Sequence, residues 1–518
     1  MVVSDTHDVI VVGAGASGAP LAARVSEDPN RTVLVLDAGP DYSSPEDTPA
    51  DLRNGHVNSE EDHDWGLDYS PTEHRPEQPL PRGRVTGGST AVNTCIFLRG
   101  TREDHDHWAD LGNTDWAWDR VLPTFVRLER DLDYGHLAHH GDAGPMTIRR
   151  YPASEMADLQ QAFLATADEL GYPHCPDQND PDGWGAGPQP MNKLGQLRVS
   201  TAMTYLAPAR LRPNLDIIGD RHAVRLIIEN GRATGVISVD SMGVERTHLA
   251  ALVVLAAGAI HTPGILLRSG IGEPNDVRRI GVEPIADAPG VGRHLADHPA
   301  MMVMCRAKDP ALVARDQPMI QTILRYTAPG SSERVDLQLE QLTFAGRARD
   351  SNFGVAAVLE QVEGRGELVF ESADPFAKPR IHPHFCEDQR DLARLADAME
   401  DALRFVQSGP LGELSDGVVF PDPARVAPGP EGRQDLERLL RKYAGSGFHP
   451  CGTAHMGPVT DPTAVVDQHG RSHTVAQLVV ADASIMPTVP RANTNPTSIL
   501  IGETIGEWIR TRPATYGL

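Results

Sequence analysis

Residues 8–40 read DVIVVGAGASGAPLAARVSEDPNRTVLVLDAGP. An apolar run, IVV, meets GAGASG at once; a stretch with helical spacing follows, and then a second apolar run, TVLVLD. Runs without alternation suit strands buried on both faces of a parallel sheet. A glycine-rich turn from such a strand into a helix specifies a βαβ unit, here of about thirty residues. Its three glycines have separate duties. Gly13 permits the tight turn, Gly15 lets a pyrophosphate approach the backbone, and Gly18 lets helix and strand pack closely. With Ala16 and Ser17 they set the free N–H groups of a helix N-terminus before a phosphate. Asp37, followed by Ala38, ends the second strand where a carboxylate can bind a ribose 2′-hydroxyl. An acid there disfavours a 2′-phosphate, so NADP is not expected.

Three later segments return to this α/β pattern. PRGRVTGGSTAVNTCIFLRG (81–100) is a second glycine-rich turn leading into small and apolar residues, able to lie flat on a large planar ring. AAGAIHTPGILLRSGIG (256–272) follows a buried strand and opens a helix. ADASIMPTVPRANTNPTSILIGE (481–503) is a strand end, a rigid turn and a helix start, with Asp482 placed to reach a ribityl or pyrophosphate group. NAD needs one such crevice. A longer cofactor anchored at both ends, FAD, explains why segments from the whole chain come back.

Between these pieces the pattern changes. VDLQLEQLTF and GVAAVLEQVEGRGELVF, within 335–370, alternate and suggest an antiparallel sheet with one polar face. Residues 388–407 read as an amphipathic helix, and a final helix is expected over 497–509. Residues 58–83 look like a surface loop or lid. The expected fold class is thus an α/β FAD-binding domain, Rossmann-like, with an inserted α+β substrate domain containing an antiparallel sheet. The FAD domain is assigned 1–150, 195–305 and 455–518, and the substrate domain 151–194 and 306–454.

Bulk composition excludes several roles. The 518 residues carry 71 acidic and 47 basic side chains, a formal charge of −24. Such a surface repels nucleic acid and anionic lipid, so neither is expected as a partner. Five scattered cysteines without a CxxC pair argue for reduced thiols, and the N-terminus shows no signal-peptide pattern. A soluble cytoplasmic protein is expected, with its oligomeric state open.

Residues 447–457, GFHPCGTAHMG, concentrate chemistry-bearing side chains. His449, Cys451 and His455 read as metal ligands, or His449 as a lone base, or all three as packing residues. Spacings of two and four without a fourth ligand fit no standard structural zinc site, and no metal is expected. His105, His107, His139 and His140 lie in polar, loop-like sequence and are expected at the surface.

Across essentially its whole length the chain resembles the glucose–methanol–choline (GMC) oxidoreductases, FAD enzymes that oxidise alcohols. The motifs that carry the resemblance are GAIHTPGILLRSGIG (258–272), the turn from Gly83 to Gly100, GVGRHLADHP (290–299), HGDAGPM (140–146) and DASIMPTVPRANTN. The likeness is nearest to the hydroxymethylfurfural and aryl-alcohol oxidases. It implies His449, in HPCGT, and Asn493, in ANTN, as the pair facing flavin N5. It also implies non-covalent FAD, because Val92 stands where some members carry the attached histidine. His455 replaces an arginine of the pattern. The FAD contacts expected are the first glycine turn with Gly13, Gly15, Ala16, Ser17 and Gly18, then Asp37 and Ala38. Arg84, Gly87, Gly88, Ser89, Asn93, Thr94, Cys95 and Ile96 follow from the second turn. Val224, Ala257, Gly258, Asp482, Ala483, Asn493 and Thr494 complete the set.

The chemistry explains the pair. Oxidising an alcohol removes a hydride from carbon and a proton from oxygen. Flavin N5 takes the hydride, and a neutral imidazole suits the proton. An amide can donate to the alkoxide-like oxygen. For the substrate side, Phe448 is expected as an aromatic wall. Alternation puts Gln338 and Glu340 on one face of their strand and Gln341 on the other; Gln341 and Gln361 are taken as the pocket residues. The expected reaction is a primary alcohol, aromatic or furanic by resemblance, going to the aldehyde, with O₂ as acceptor and H₂O₂ as product. A quinone- or protein-linked dehydrogenase and a hydroxynitrile lyase of the same fold remain the alternatives.

Overall fold

The computed structural model describes residues 6–44, 46–60, 62–347, 349–426 and 429–518. Its first strand, Thr6–Val12, ends in four buried apolar residues and pairs in parallel with Val33–Leu36 and with Glu245–Leu255. Leu215–Ile218 and Leu478–Val480 extend the parallel part on either side. His222–Glu229 and Arg232–Val239, joined at Asn230–Gly231, add an antiparallel edge. Sheet order therefore does not follow chain order: the last strand comes from residues 478–480 yet pairs beside the middle of the sheet.

The turn after the first strand needs glycine. Gly13 has φ +98°, and a methyl there would lie 2.4 Å from the Ala256 carbonyl oxygen. The helix that follows, Gly18–Val25, is almost wholly buried. It packs against the C-terminal helix Thr494–Thr511, where a methyl on Gly502 would come within 2.0 Å of the Ser17 carbonyl oxygen. That close approach brings the start of the C-terminal helix beside the glycine turn.

A second sheet is antiparallel throughout. Among the described residues its order runs Ser415–Phe420, Pro299–Ala307, Asn352–Leu359, Leu337–Ala345, Ile320–Tyr326, Gly185–Pro188, with Gly445–Ser446 also pairing to Pro299–Ala300. Helix Gln389–Val406 covers one face with Leu392, Leu395, Met399 and Phe405, the spacing of an amphipathic stripe. Helix Asp158–Glu169 covers the rest of that face. The strand Pro299–Ala307 runs wholly in this sheet, so a domain boundary at 305 falls inside it; we place the boundary before Pro299. No helix among the described residues is long and apolar enough to cross a membrane.

Two of the histidines expected at the surface are buried. His105 is 0% exposed among Trp108, Trp118 and Phe125. His140 sits inside a charged cluster, its ring nitrogens 2.7 Å from Glu129 Oε1 and 2.8 Å from Asp177 Oδ2. Polar local sequence hid both, because their partners lie far along the chain or across a turn. This cluster holds donors of metal type, but Arg99 and Arg150 already pair with its carboxylates.

Candidate active site

The uncovered face of the antiparallel sheet and the glycine turns enclose a continuous cavity of about 620 Å³. That volume is in the range of small-molecule and cofactor sites. Its wall passes from Gly13, Gly15, Ala16, Ser17, Asp37 and Ala38 to Gly88, Ser89, Asn93, Thr94 and Ile96. It continues along Ala257, Gly258, Asp482, Ala483 and Thr494 to Phe448, His449 and Asn493.

His449 owes its position to one buried carboxylate. Asp297 Oδ1 accepts from the backbone N–H of His449 at 2.8 Å and from that of His298 at 2.8 Å. Its Oδ2 accepts from the Ser446 hydroxyl, whose oxygen in turn accepts the Phe448 N–H at 2.7 Å. Gly447 N–H donates to the His298 carbonyl at 2.7 Å, continuing the strand pairing of 445–446. The chain must then turn sharply, and Phe448 adopts φ +67°, a left-handed conformation that costs a non-glycine residue about 1–3 kcal/mol. Arg82 Nη2 donates to the Phe448 carbonyl at 2.9 Å and clamps the turn. Phe448 is 45% exposed and stands at the cavity wall.

The proton positions follow from the partners. Asn493 caps the C-terminal helix by position, but its side chain makes no capping bond. Its amide Nδ2–H instead donates to His449 Nε2 at 2.9 Å. Nε2 is therefore the bare nitrogen, and Nδ1–H of His449 donates to His298 Nδ1 at 2.9 Å. His298 then carries its proton on Nε2, 3.6 Å from Glu360 Oε2. Burial, with His298 and Arg82 nearby, holds His449 well below the usual histidine value, so the ring is neutral and able to accept a proton. Burial raises the Glu360 carboxyl to about 8 despite Arg325 beside it.

The other members of the 447–457 stretch diverge. Cys451 is 0% exposed in the core. His455 Nε2 faces Asp461 Oδ2 at 3.2 Å and packs on His294. Neither accompanies His449, and the metal-type donor groups among the described residues do not include them.

Seven expected site residues do not line the cavity. Gly18 serves packing alone, since a methyl there would meet the Gly13 carbonyl oxygen at 1.9 Å. Gly87, at φ +92°, shapes the turn behind Gly88. Arg84 Nε donates to the Ala38 carbonyl at 3.2 Å, and its guanidinium lies over Trp65. Cys95 is fully buried with Leu98 and Tyr151. Val224 is displaced by its neighbours Arg221, His222 and Ala223, while its carbonyl accepts from Arg268 Nε at 2.7 Å. Gln341 alternates away from Glu340 and the cavity; its backbone carbonyl accepts from Gln160 Nε2 at 2.9 Å, and its side-chain Nε2 donates to the Leu342 carbonyl at 3.0 Å. Gln361 lies beyond its strand and accepts from Arg491 Nε at 3.1 Å. In their place stand Glu340, Gln338, Met302, Met304, Phe420 and Trp65, and behind His449 the pair Asp297 and His298. Alternation had already grouped Gln338 with Glu340; it carries no sign saying which face looks inward.

The residues present fit FAD. Among the described residues, no hydrogen bond engages the N–H groups of Gly15, Ala16 and Ser17, a cradle for a pyrophosphate. Asp37 is fixed by the N–H groups of Ala14 and Gly39, both at 2.8 Å, and still faces the cavity. The two glycine turns touch, and a methyl on Gly88 would lie 2.8 Å from Gly15 Cα. The side-chain oxygens of Asn493 and Asn495 are buried at the wall with no partner among the described residues. Buried acceptors of this kind mark a place where a bound group completes the bonding.

A family model described as GMC oxidoreductase matches residues 7–300 in its N-terminal part and residues 362–502 in its C-terminal part. A 5-(hydroxymethyl)furfural oxidase of Methylovorus sp. is 33% identical, covering 98% of this chain and 99% of its own. An oxygen-dependent choline dehydrogenase of Chromohalobacter salexigens is 31% identical, covering 98% and 95%. The crystal structure of pyridoxine 4-oxidase from Mesorbium loti superposes with a TM-score of 0.88 at 27% identity, covering 96% of this chain and 98% of its own.

Proposed function

The chain belongs to the GMC oxidoreductase family and uses FAD to oxidise alcohols, and on that premise we propose that it converts a primary alcohol to the aldehyde with His449 as the base. The observation that carries this reading is the neutral His449, its bare Nε2 turned to Asn493 at the cavity wall. Bound FAD supplies the acceptor for a hydride from the carbinol carbon at N5. A hydroxyl entering the site takes the place of the Asn493 amide at His449 Nε2 and gives that nitrogen its proton. The freed Asn493 amide then donates to the oxygen as negative charge develops there. The imidazolium keeps the Nδ1–H contact it already makes to His298 at 2.9 Å.

Dioxygen is the proposed acceptor, giving H₂O₂; the similarity to two proteins named as oxidases supports it. The similarity to the hydroxymethylfurfural oxidase supports aromatic or furanic alcohols as a class to test. Anaerobic mixing of the yellow holoenzyme with a panel of primary alcohols is expected to bleach the flavin. Admitting air is expected to restore the colour with one H₂O₂ per flavin. Bleaching without reoxidation in air would make the protein a dehydrogenase with another acceptor. No bleaching by any alcohol would sink the reading, and cyanohydrin cleavage would then favour a lyase.

FAD is proposed to be held without a covalent bond, since Val92 at the cavity wall offers only carbon and hydrogen. Acid precipitation is expected to leave the yellow colour in the supernatant. Colour retained in the washed pellet would refute this.

A further inference from the structure

Three carboxyl groups line the cavity: Asp37, Asp482 and Glu340. In the first two, both oxygens already have a protein donor. Asp37 accepts from the N–H groups of Ala14 and Gly39. Asp482 accepts from those of Gly258 and Ser484 and from the Thr262 hydroxyl. Glu340 differs. Its Oε1 accepts from Gln338 Nε2 at 2.8 Å and from Gln189 Nε2 at 3.4 Å. Its Oε2 has no donor among the described residues. Among the described residues no cation compensates it either, and burial alone pushes the carboxyl up to about 7.

Strand register places this oxygen in the substrate half of the cavity. Glu340 sits across from Ala356, and Ala356 across from Met302, so the three form one row on the inner face. The row beside it begins at Ala300, which pairs with Gly445 at the base of the loop that carries His449. Glu340 is thus three strands away from Gly445–Ser446, the segment that leads to His449. At about 4.8 Å per strand, that is a separation on the order of 14 Å across the sheet. The intervening surface is Ala356 with the thioether of Met302. A carboxyl reached across apolar surface, with one oxygen capped by amides and one bare, suits a ligand with a cationic N–H group at its far end.

We propose that Glu340 determines specificity, and that the preferred substrate is a primary alcohol carrying a protonated amine with at least one N–H at the end remote from the hydroxyl. This rests on alcohol oxidation at His449. The amine would donate to Oε2, while Gln338 and Gln189 hold the carboxyl in place through Oε1.

The test uses the FAD-loaded enzyme and α,ω-amino alcohols of three to eight carbons. Each is paired with the alkan-1-ol and the α,ω-diol of equal length. Anaerobic flavin reduction is expected to favour the amino alcohol at one or two chain lengths by roughly 100-fold in kcat/KM, the size of a hydrogen bond to a charged group. Glu340→Gln is expected to collapse that ratio to near one. Calorimetry supplies a readout without turnover: alkylamines lacking the hydroxyl should bind the wild type and bind Glu340→Gln about 100-fold more weakly. Equal use of amino alcohol and alkanol, preference for the diol, or a preference that survives Glu340→Gln would each overturn the proposal. If no alcohol reduces the flavin, the oxidation reading fails, and amine binding by calorimetry still decides the role of Glu340.

Discussion

His449→Ala is expected to lower kcat/KM for alcohol oxidation by roughly 10²–10⁴-fold, the usual contribution of a positioned general base. That corresponds to about 3–5 kcal/mol of transition-state stabilisation. The loss comes from removing the bare imidazole nitrogen that Asn493 Nδ2 reaches at 2.9 Å. The substitution leaves the glycine turns untouched, so the purified variant should remain yellow. Flavin absorbance per protein therefore separates a chemical defect from a folding defect. Stopped-flow reduction that is slow in the variant and partly restored by added imidazole would support the assignment. Reduction at the wild-type rate would exclude His449 as the base. Asn493→Ala is expected to cost about 10²–10³-fold in kcat, the scale of one lost oxyanion donor.

Arg150→Met is expected to destabilise the fold by about 3–5 kcal/mol, because it strands buried carboxylates without their cation. Arg150 Nη1 donates to both oxygens of Asp131, at 3.0 and 2.8 Å, and Nη2 donates to Asp177 Oδ1 at 2.6 Å. The side chains of Arg150, Asp131 and Asp177 are all nearly excluded from solvent. Asp177 also accepts the N–H of Asn179, and Asn179 bonds the backbone of Phe97 and Arg99. Those residues follow directly on the wall segment Asn93–Ile96, so loosening the cluster should weaken FAD retention as well as stability. Chemical denaturation with flavin fluorescence as a second probe reads both. A midpoint within experimental error of wild type would show that the cluster contributes nothing.

The same cluster predicts a pH dependence. Burial opposes protonation of His140, but hydrogen bonds to Asp177 and Glu129 outweigh it, and its pKa is raised above the usual histidine value. A raised value means the folded state holds its proton more tightly than the unfolded chain. The stabilisation is complete below the unfolded value of about 6.5 and is lost as pH rises through the raised folded value. Wild-type protein should therefore lose stability as pH rises above about 6.5, and His140→Gln should flatten that slope.

Much of this architecture was legible in the sequence because it depends on local rules. GAGASG between two apolar runs dictates a strand, a tight turn and a buried helix, whatever surrounds it. The return of glycine-rich and strand–turn–helix segments at 81–100, 256–272 and 481–503 revealed a discontinuous domain around a long cofactor. The family resemblance carried by HPCGT and ANTN, not a local rule, singled out His449 and Asn493, and the structure brings these two side chains into hydrogen-bond contact across 44 residues.

What the sequence left open was orientation and partnership. Alternation sorted Gln338 and Glu340 from Gln341 but was symmetric between the faces. Only the packing of helices Asp158–Glu169 and Gln389–Val406 on one side turned Glu340 toward the cavity. Asp297, which fixes the His449 backbone, and His298, which fixes its tautomer, lie about 150 residues upstream, and no local pattern records such a pairing. His140 looked like solvated polar sequence because its partners Asp177 and Glu129 come together with it only when separate loops meet. Local periodicity, set by backbone geometry, thus determined the elements and the chemistry available. Long-range packing, which selects inward faces and pairs buried polar groups, decided how that chemistry is aimed.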